Sequence, residues 1–181
     1  MDHFRGNNLF PKFTFVLGGA ASGKSAFAEQ LSVKSKKNLV YLATSQVLDA
    51  EMQTRIDRHL IQRGDGWRTV ESPLDSASEL GKLSAGETCL LDCATMWLSN
   101  QMMAERDVLA SQALLISAIR ECPANLVVVS NEVGQGIVPD NALARQFREA
   151  QGRLNIALAA EADLAVLVVA GLPQVLKGEL P

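Results

Sequence analysis

The sequence is poor in cysteine, histidine and aromatic residues and has a small net charge, so its composition is that of an ordinary globular protein. It contains three cysteines and two histidines in 181 residues, aromatic residues make up 5%, and the net charge is −3. A mildly acidic chain has no electrostatic reason to follow a nucleic-acid backbone, so we do not expect nucleic acid as a partner. The cysteines, Cys89, Cys93 and Cys122, form neither an even-numbered disulfide framework nor a paired metal-ligand spacing. This pattern favours reduced core thiols in a cytoplasmic protein.

Long apolar segments are also missing from the sequence. No apolar run approaches the roughly 20 residues of a membrane-spanning helix. The opening residues, MDHFRGNNLFPK, lack the apolar region of a signal peptide. We predict that residues 1–12 form a flexible N-terminal extension in which His3 has no role, and that residues 13–181 form one domain.

Short apolar segments rich in β-branched residues alternate with segments of helical periodicity. Strands are predicted at 13–17, 38–44, 88–93, 125–130 and 164–170, and helices at 23–34, 51–63, 108–122 and 140–162, with a weaker one within 72–87. The longest apolar stripe of a predicted helix comprises Leu143, Phe147, Leu154 and Leu158. This alternation predicts a mostly parallel sheet with helices on both faces.

A glycine-rich segment follows the first predicted strand and opens the first predicted helix. The segment GGAASGKS fits G-x-x-x-x-G-K-[ST] in the context that a phosphate-binding loop requires. Its glycines let backbone N–H groups surround a phosphate, and the helix N-terminus adds positive potential. Lys24 would reach the outer phosphates, and the Ser25 hydroxyl would hold Mg²⁺. The predicted class is therefore an α/β, P-loop NTPase-like (RecA-like) domain, with nucleotide contacts from Gly18, Gly19, Ala20, Ala21, Ser22, Gly23, Lys24 and Ser25.

Two acidic residues end apolar strands of the predicted sheet. Asp92 ends TCLLDC and is the candidate for the second Mg²⁺ anchor, although a carboxylate that merely ends a strand in a turn is the alternative. Glu132 closes the strand around residues 125–130 in the same way. Both acids are expected at the carboxyl edge of the sheet, where open α/β folds bind ligands.

The motifs that are missing narrow the class of nucleotide-binding protein. A GTPase would normally read guanine with N-K-x-D after a strand, but Asn131 is followed by no such lysine and aspartate. The chain also has no tandem ATPase repeat. A small domain with one phosphate loop favours transfer of a phosphate to a small molecule.

His59 lies in the predicted helix over 51–63, on the flank of its apolar stripe. Arg55 and Arg58 are close to it in the sequence. Spacing alone favours a half-buried packing histidine. The alternative is a nucleophile toward phosphorus, since neutral imidazole has an unperturbed pKa of about 6.5 and nearby arginines would offset the charge of a triphosphate.

Several strings resemble, in order and spacing, the bifunctional adenosylcobinamide kinase / adenosylcobinamide-phosphate guanylyltransferase family of cobalamin biosynthesis. They are GGAASGKS, YLATSQVLDAEMQTRIDRH, WRTVE, LLDCATMWLSN, SNEVGQGIVPDNALARQFREAQGRLN and VVAGLPQVLKG, and they cover the chain from about Phe13 onward. The resemblance implies phosphorylation of adenosylcobinamide by ATP or GTP, followed by transfer of GMP from GTP through a guanylylated histidine. His59 matches that histidine.

The resemblance also implies further nucleotide contacts. These fall on Thr44, Ser45 and Gln46 after the second strand, on Leu60, Ile61, Gln62 and Arg63 after the histidine, and on Glu71 and Asp92. From the sequence alone, Glu71 is interpreted as a solvated charge. The implied cofactor is Mg²⁺, the implied substrates are adenosylcobinamide and its phosphate, and the implied assembly is a homotrimer.

The chain departs from the family pattern at three positions. Ala21 stands where relatives often carry a basic residue, Leu60 where Arg or Lys is common, and Gly64 where the pair RP often continues.

Two other functions remain open at this point: a simple P-loop kinase in which His59 only packs, and a non-catalytic GTP-binding sensor. The corrinoid pocket is not assigned, and the cluster Arg145, Arg148 and Arg153 is interpreted as lining it or, preferably, as solvating a helix face.

Overall fold

The computed structural model describes residues 10–46 and 66–181. Its elements, in chain order, are β1 (Phe13–Gly18), α1 (Lys24–Lys34), β2 (Asn38–Ala43), β3 (Trp67–Glu71), α2 (Ser76–Leu80), β4 (Glu87–Asp92), α3 (Ala94–Met103), α4 (Val108–Glu121), β5 (Asn125–Asn131), α5 (Ala142–Glu161), β6 (Leu164–Val169) and β7 (Leu172–Lys177). All five predicted strands and the helices over 23–34, 108–122 and 140–162 are confirmed. The weak helix within 72–87 is only the short α2. The helix predicted over 51–63 lies outside the described residues.

The strands form one sheet in the order β3-β2-β4-β5-β1-β6-β7. All neighbouring pairs from β3 to β6 are parallel, and β7 alone runs antiparallel, against β6. The first six strands therefore end at the same carboxyl edge. The predicted mostly parallel α/β sheet is confirmed.

Within the described residues, α2, α3, α4 and α5 pack on one face of the sheet and α1 packs on the other. Alternate residues of a strand point to opposite faces, so one strand contributes to both cores. Phe13 and Phe15 of β1 pack into a cluster that includes residues of α2, α3, α4 and α5. Val16 of β1 belongs to a second cluster, which contains Ala28 and Leu31 of α1. The strands buried on both faces are continuous apolar runs, which explains why they were predictable.

The two edge strands were not predicted. Trp67–Glu71 is mostly exposed or half-buried, so it lacks the continuous apolar run of a central strand. Every residue of Leu172–Lys177 is exposed, and the strand contains Pro173, which an edge strand tolerates. Val169 pairs with Leu172, and the two residues between them, Ala170 and Gly171, both have positive φ, as a two-residue type I′ hairpin requires.

Helix α3 was also missed, because several of its inward-facing residues are polar. Asn100 is buried and its Nδ2 donates to the carbonyls of Thr44, at 2.8 Å, and Pro73, at 3.0 Å. Gln101 Nε2 and Trp97 Nε1 both donate to the Leu74 carbonyl, at 2.8 and 3.3 Å. The helix is thus fastened to the segments that follow β2 and β3, through partners that the local sequence does not reveal.

One member of the predicted apolar stripe of α5 is exposed. Leu154 and Leu158 are completely buried, whereas Leu143, in the first turn, is 57% exposed, because the helix projects beyond the core at its start. The three cysteines are buried and free. Within residues 10–46 and 66–181, no helix has the length and apolarity needed to cross a membrane.

The described chain contacts the domain before Phe13, where the predicted extension was expected to end. Phe10 packs against the cluster on the α1 face, and Lys12 Nζ donates to the carbonyls of Pro123 and, at 2.6 Å, Ala124. Residues 1–9, including His3, lie outside the described residues. The extension itself therefore stays a prediction.

Candidate active site

The glycine-rich segment forms a loop between β1 and the first turn of α1, at the carboxyl edge of the sheet. The Ser22 N–H donates to the Gly19 carbonyl at 3.3 Å, and the Gly171 N–H donates to the Ser22 carbonyl at 2.8 Å. The loop is therefore tied both to itself and to the β6–β7 hairpin. The Ser22 hydroxyl is buried in it, with no hydrogen-bond partner among the described residues.

Two glycines of this loop cannot be replaced without rearrangement. A Cβ at Gly18 would lie 2.4 Å from Ser22 Oγ and 2.7 Å from the carbonyl oxygen of Val168. Gly23 caps α1 with φ 91°, in the left-handed region that favours glycine. The absence of a Cβ at these two positions allows the loop to be tight and lets α1 begin immediately after it.

The charged groups of the loop favour an anion. The first turn of α1 contains no acidic residue, so its N–H groups keep their positive potential. Lys24 Nζ donates to the Gly19 carbonyl at 3.1 Å, which holds the ammonium over the loop. Lys24 and Ser25 are both half-buried. These are the features by which P-loops bind phosphate.

Asp92 ends β4 at the same edge, as predicted. Its Oδ2 accepts a hydrogen bond from the Tyr41 hydroxyl at 3.3 Å. One strand, β5, separates β4 from β1, so Asp92 lies about two strand spacings, ~10 Å, to the side of the phosphate-loop strand. A carboxylate at this distance can take part in a metal site through water and phosphate oxygens.

Thr44 is completely buried, although a nucleotide contact was expected there. Its Oγ1 donates to the Cys93 carbonyl and accepts from the Cys93 N–H, both at 2.8 Å. The hydroxyl therefore joins the end of β2 to the residue after Asp92, and its side chain offers no surface to a ligand. Ser45 and Gln46, the next two residues, are half-buried at the carboxyl edge.

Glu71 is exposed at the end of β3, level with Asp92 across β2, since Ala43 pairs with both. Four strand spacings, ~19 Å, separate β3 from β1. A contact from Glu71 would therefore fall on a part of a ligand remote from any phosphates that the loop would hold. Asp92 is therefore nearer to the loop than Glu71, which lies on the edge strand β3.

Five predicted site residues lie outside the described residues, so no geometry is assigned to them. They are His59, Leu60, Ile61, Gln62 and Arg63.

Residues just beyond β5 also lie beside the glycine-rich loop, and of these only Glu132 was predicted at the carboxyl edge. The Glu132 N–H donates to the Gly18 carbonyl at 3.0 Å, and its Oε1 accepts from the Gly134 N–H. Arg148 donates to the Gly134 carbonyl, and Arg145 to the carbonyls of residues 139 and 140. These two arginines therefore attach the loop after β5 to α5. This role differs from both interpretations of the arginine cluster, which were lining the corrinoid pocket and solvating a helix face.

Arg153, the third arginine of that cluster, pairs with Glu149 at 3.5 Å. It also lines a cavity of about 450 Å³ together with Met102, Val108, Leu109, Gln146 and Ala150.

Comparison with known proteins identifies the chain. The profile of the CobU family, described as cobinamide kinase / cobinamide phosphate guanyltransferase, matches residues 14–176. The chain belongs to this family. The resemblance drawn from the sequence motifs is therefore confirmed.

Curated relatives of this CobU-family chain are similar over almost their whole length. The bifunctional adenosylcobalamin biosynthesis protein CobP of Pseudomonas aeruginosa is 40% identical over 167 residues, covering 91% of this chain and 96% of the relative. The bifunctional adenosylcobalamin biosynthesis protein CobU of Salmonella typhimurium is 42% identical over 174 residues, covering 87% and 95%.

A solved structure bears on the fold alone. The P4 protein from bacteriophage phi6 in complex with ADP matches with a TM-score of 0.50 and 16% identity. The match covers 96% of this chain and 56% of that structure. This likeness agrees with the predicted P-loop NTPase-like fold.

The donor set at the edge of this CobU-family sheet fits Mg²⁺. Ser25 and Asp92 offer a hydroxyl and a carboxylate, the hard oxygen ligands that this ion prefers. No three His, Cys, Asp or Glu side chains come together as a metal site in the described parts of the chain. Phosphate and water oxygens would therefore have to complete the coordination, as is usual for Mg²⁺ at nucleotides.

Proposed function

We propose a two-step reaction for this cobinamide kinase / cobinamide phosphate guanyltransferase, with His59 as the covalent carrier of GMP. The first step phosphorylates adenosylcobinamide with ATP or GTP, and the second transfers GMP from GTP to the new phosphate. The products are adenosyl-GDP-cobinamide and pyrophosphate. The observation that supports this proposal is the family match over residues 14–176, which encloses a phosphate loop built at the carboxyl edge of the sheet.

In the kinase step, the chain mainly binds and aligns the nucleotide. The N–H groups of the loop and the first turn of α1 hold the phosphates, and Lys24 offsets their outer charge. Ser25 and Asp92 are the residues that would hold Mg²⁺, which supplies charge neutralisation between the phosphates. Catalysis then rests on alignment and on stabilising the charge of the migrating phosphoryl group.

In the guanylyl step, an imidazole nitrogen of His59 forms a bond to the α-phosphorus of GTP. The bond from that phosphorus to the bridging oxygen of pyrophosphate breaks, and pyrophosphate leaves. An oxygen of the corrinoid phosphate then attacks the same phosphorus and releases the imidazole. The covalent intermediate divides one difficult displacement into two easier ones.

Intact-mass measurement after incubation with GTP tests this assignment. The wild-type protein should gain the mass of one guanylyl group, which is GMP less water, and [α-³²P]GTP should label it with an acid-labile bond. His59→Ala should lose both signals. His3→Ala is the matched control, because these are the only two histidines in the sequence, and it should label like wild type.

Other results would replace the proposal with one of its rivals. Labelling of His59→Ala equal to that of wild type would refute the carrier assignment. Turnover without any adduct would favour a simple P-loop kinase, and GTP binding without adduct or turnover would leave a sensor. Lys24→Ala should weaken both steps, since each requires a triphosphate held by the loop.

A homo-oligomer, and by resemblance a homotrimer, is the assembly that we propose for the active enzyme. Its support within the described residues is the edge strand β7, where Leu172 and Leu176 are each more than half exposed. An exposed apolar edge strand is prone to pair with another chain. Light scattering coupled to size exclusion measures the number of subunits, and a monomer at working concentrations would contradict the proposal.

A further inference from the structure

Glu132 lies at the carboxyl edge of the sheet between Asp92 and the glycine-rich loop. It follows β5, the strand that lies between β4, which ends in Asp92, and β1, which leads into the phosphate loop. Its N–H donates to the Gly18 carbonyl at 3.0 Å, so its backbone touches the first residue of that loop. The side chain is half-buried. Glu132 is thus one strand spacing, ~5 Å, from β1, whereas Asp92 is two away.

The backbone that leads into Glu132 is held on both sides by buried groups. The Asn131 N–H donates to Thr95 Oγ1 at 2.8 Å, and the Asn131 carbonyl accepts from Asn155 Nδ2 at 3.2 Å. Asn155 Oδ1 in turn accepts from Ser130 Oγ at 2.7 Å and from Gln151 Nε2 at 2.9 Å. This polar network fixes the end of β5, which is the preorganisation that a reacting group needs.

The carboxylate is also oriented from the other side. Glu132 Oε1 accepts the Gly134 N–H, and Arg148 donates to the Gly134 carbonyl. A Cβ at Gly134 would lie 2.8 Å from Glu132 Oε1, so the glycine leaves room for the carboxylate in this position. Only one carboxylate oxygen is needed for the Gly134 contact. The other oxygen is available for a second role.

We infer that Glu132 is the group that takes the proton from the corrinoid hydroxyl in the kinase step, an inference that rests on the proposed function. In this step the hydroxyl oxygen forms a bond to the γ-phosphorus, and the bond from that phosphorus to the β–γ bridging oxygen breaks. The hydroxyl proton moves to a Glu132 carboxylate oxygen and from there to water, and the nucleoside diphosphate leaves. Glu71 is four strands from β1, and Asp92 is the carboxylate assigned to Mg²⁺. Of these three acids at the carboxyl edge of the described sheet, Glu132 is therefore the one that geometry leaves for the proton.

The alternative is that Glu132 only accepts the Gly134 N–H, and Glu132→Gln separates the two roles. The amide keeps an oxygen for that hydrogen bond but is not basic enough to accept a proton. Its kcat for adenosylcobinamide phosphorylation should fall by about 10²–10⁴, the usual contribution of a general base. Its KM for nucleotide should stay within about twofold of wild type, because the phosphate loop is unchanged.

The second activity of the same protein serves as an internal control. With adenosylcobinamide phosphate supplied directly, guanylyl transfer by Glu132→Gln should stay within about threefold of wild type, since that step deprotonates no hydroxyl. Glu149→Gln is the matched surface control, because Glu149 is 72% exposed and pairs only with Arg153 at 3.5 Å in the described structure. It should retain both activities.

Three results would overturn the inference. Phosphorylation by Glu132→Gln within about threefold of wild type would show that the carboxylate only caps the turn. An equal fall in both activities, or a large rise in the nucleotide KM, would assign Glu132 to nucleotide binding. If the wild-type protein phosphorylates no cobinamide at all, the proposed function itself fails, which is a different outcome.

Gly134→Ala gives a second measurement that leaves Glu132 in place. The glycine has no left-handed φ, and the added methyl meets only the Glu132 side chain and not backbone. The methyl should displace the carboxylate and lower the kinase kcat by at least about tenfold, with guanylyl transfer retained. Equal kinase rates in Gly134→Ala and wild type would count against a proton acceptor held in this position, even if Glu132→Gln failed to fold.

Discussion

Replacing Asn100 by aspartate should be far more damaging than its near-identical shape suggests. The Asn100 side chain is 7% exposed, and its Nδ2 donates to the carbonyls of Thr44 and Pro73. Asn100→Asp removes both donors and turns a carboxylate toward two carbonyl oxygens. Each buried acceptor left without its donor costs about 1–3 kcal/mol, so the free energy of unfolding should fall by about 2–6 kcal/mol at pH 7.

Thermal unfolding followed by circular dichroism measures this loss. A domain of this size loses about 2–4 °C of Tm per kcal/mol. Burial among carbonyls would raise the pKa of the introduced carboxyl in the folded state. The penalty should therefore be smallest at acidic pH, where the folded form is protonated, and should grow as pH rises above the ordinary Asp pKa of about 3.9.

Asn141→Asp is the matched control for this prediction. Asn141 is the exposed N-cap of α5 and accepts the Ala144 N–H at 2.7 Å. Aspartate caps equally well and suits the helix dipole, so the Tm should stay the same or rise slightly. Equal Tm values for the two variants at pH 7 would refute the claim that Asn100 fastens α3 to the segments after β2 and β3.

Two further predictions concern the core. Leu154→Ala should lower the free energy of unfolding by about 2–5 kcal/mol, because Leu154 is completely buried. Leu143→Ala, at an exposed position of the same helix, should change it by less than about 0.5 kcal/mol. Chemical denaturation measures both values, and equal losses would mean that the start of α5 is buried. The three thiols should not react with a thiol reagent at pH 8 until urea unfolds the chain, because burial raises the pKa of Cys93 to about 11 and also raises those of Cys89 and Cys122. Unfolded thiols ionise near pH 8.5, so the contribution of the buried thiols to stability is complete below that pH and is lost as pH rises above it. Comparing the free energy of unfolding at pH 7 and pH 9.5 measures this loss. Rapid labelling of the folded protein by the thiol reagent would contradict the burial argument.

The predictable part of the fold consists of elements whose pattern comes from burial of their own residues. The strands β1, β4 and β5 are apolar on both faces, and the stripe of α5 is long, so local sequence predicts each of them. The edge strands β3 and β7 were missed because exposure removes that pattern. Helix α3 was missed because Asn100 and Gln101 are buried through bonds to distant carbonyls.

The candidate site divides in the same way. The position of the glycine-rich loop was predictable because its residues, from Gly18 to Ser25, are consecutive, and the position of Asp92 because it ends a buried strand. The buried, hydrogen-bonded state of Thr44 was not predictable, since its partner, Cys93, is on another strand's end. Neither was the attachment of Glu132 to Gly18, which depends on β5 lying beside β1.

The sequence by itself therefore determined the family, the phosphate loop and the α/β class, because steric demands and phosphate chemistry act on residues that are adjacent in the chain. Only the tertiary structure decided which carboxylate lies beside the loop, because strand order does not follow chain order. It places Glu132 one strand from β1, Asp92 two strands away and Glu71 four strands away. Those lateral distances, and not the chemistry of the three acids, are the reason why we propose different roles for them.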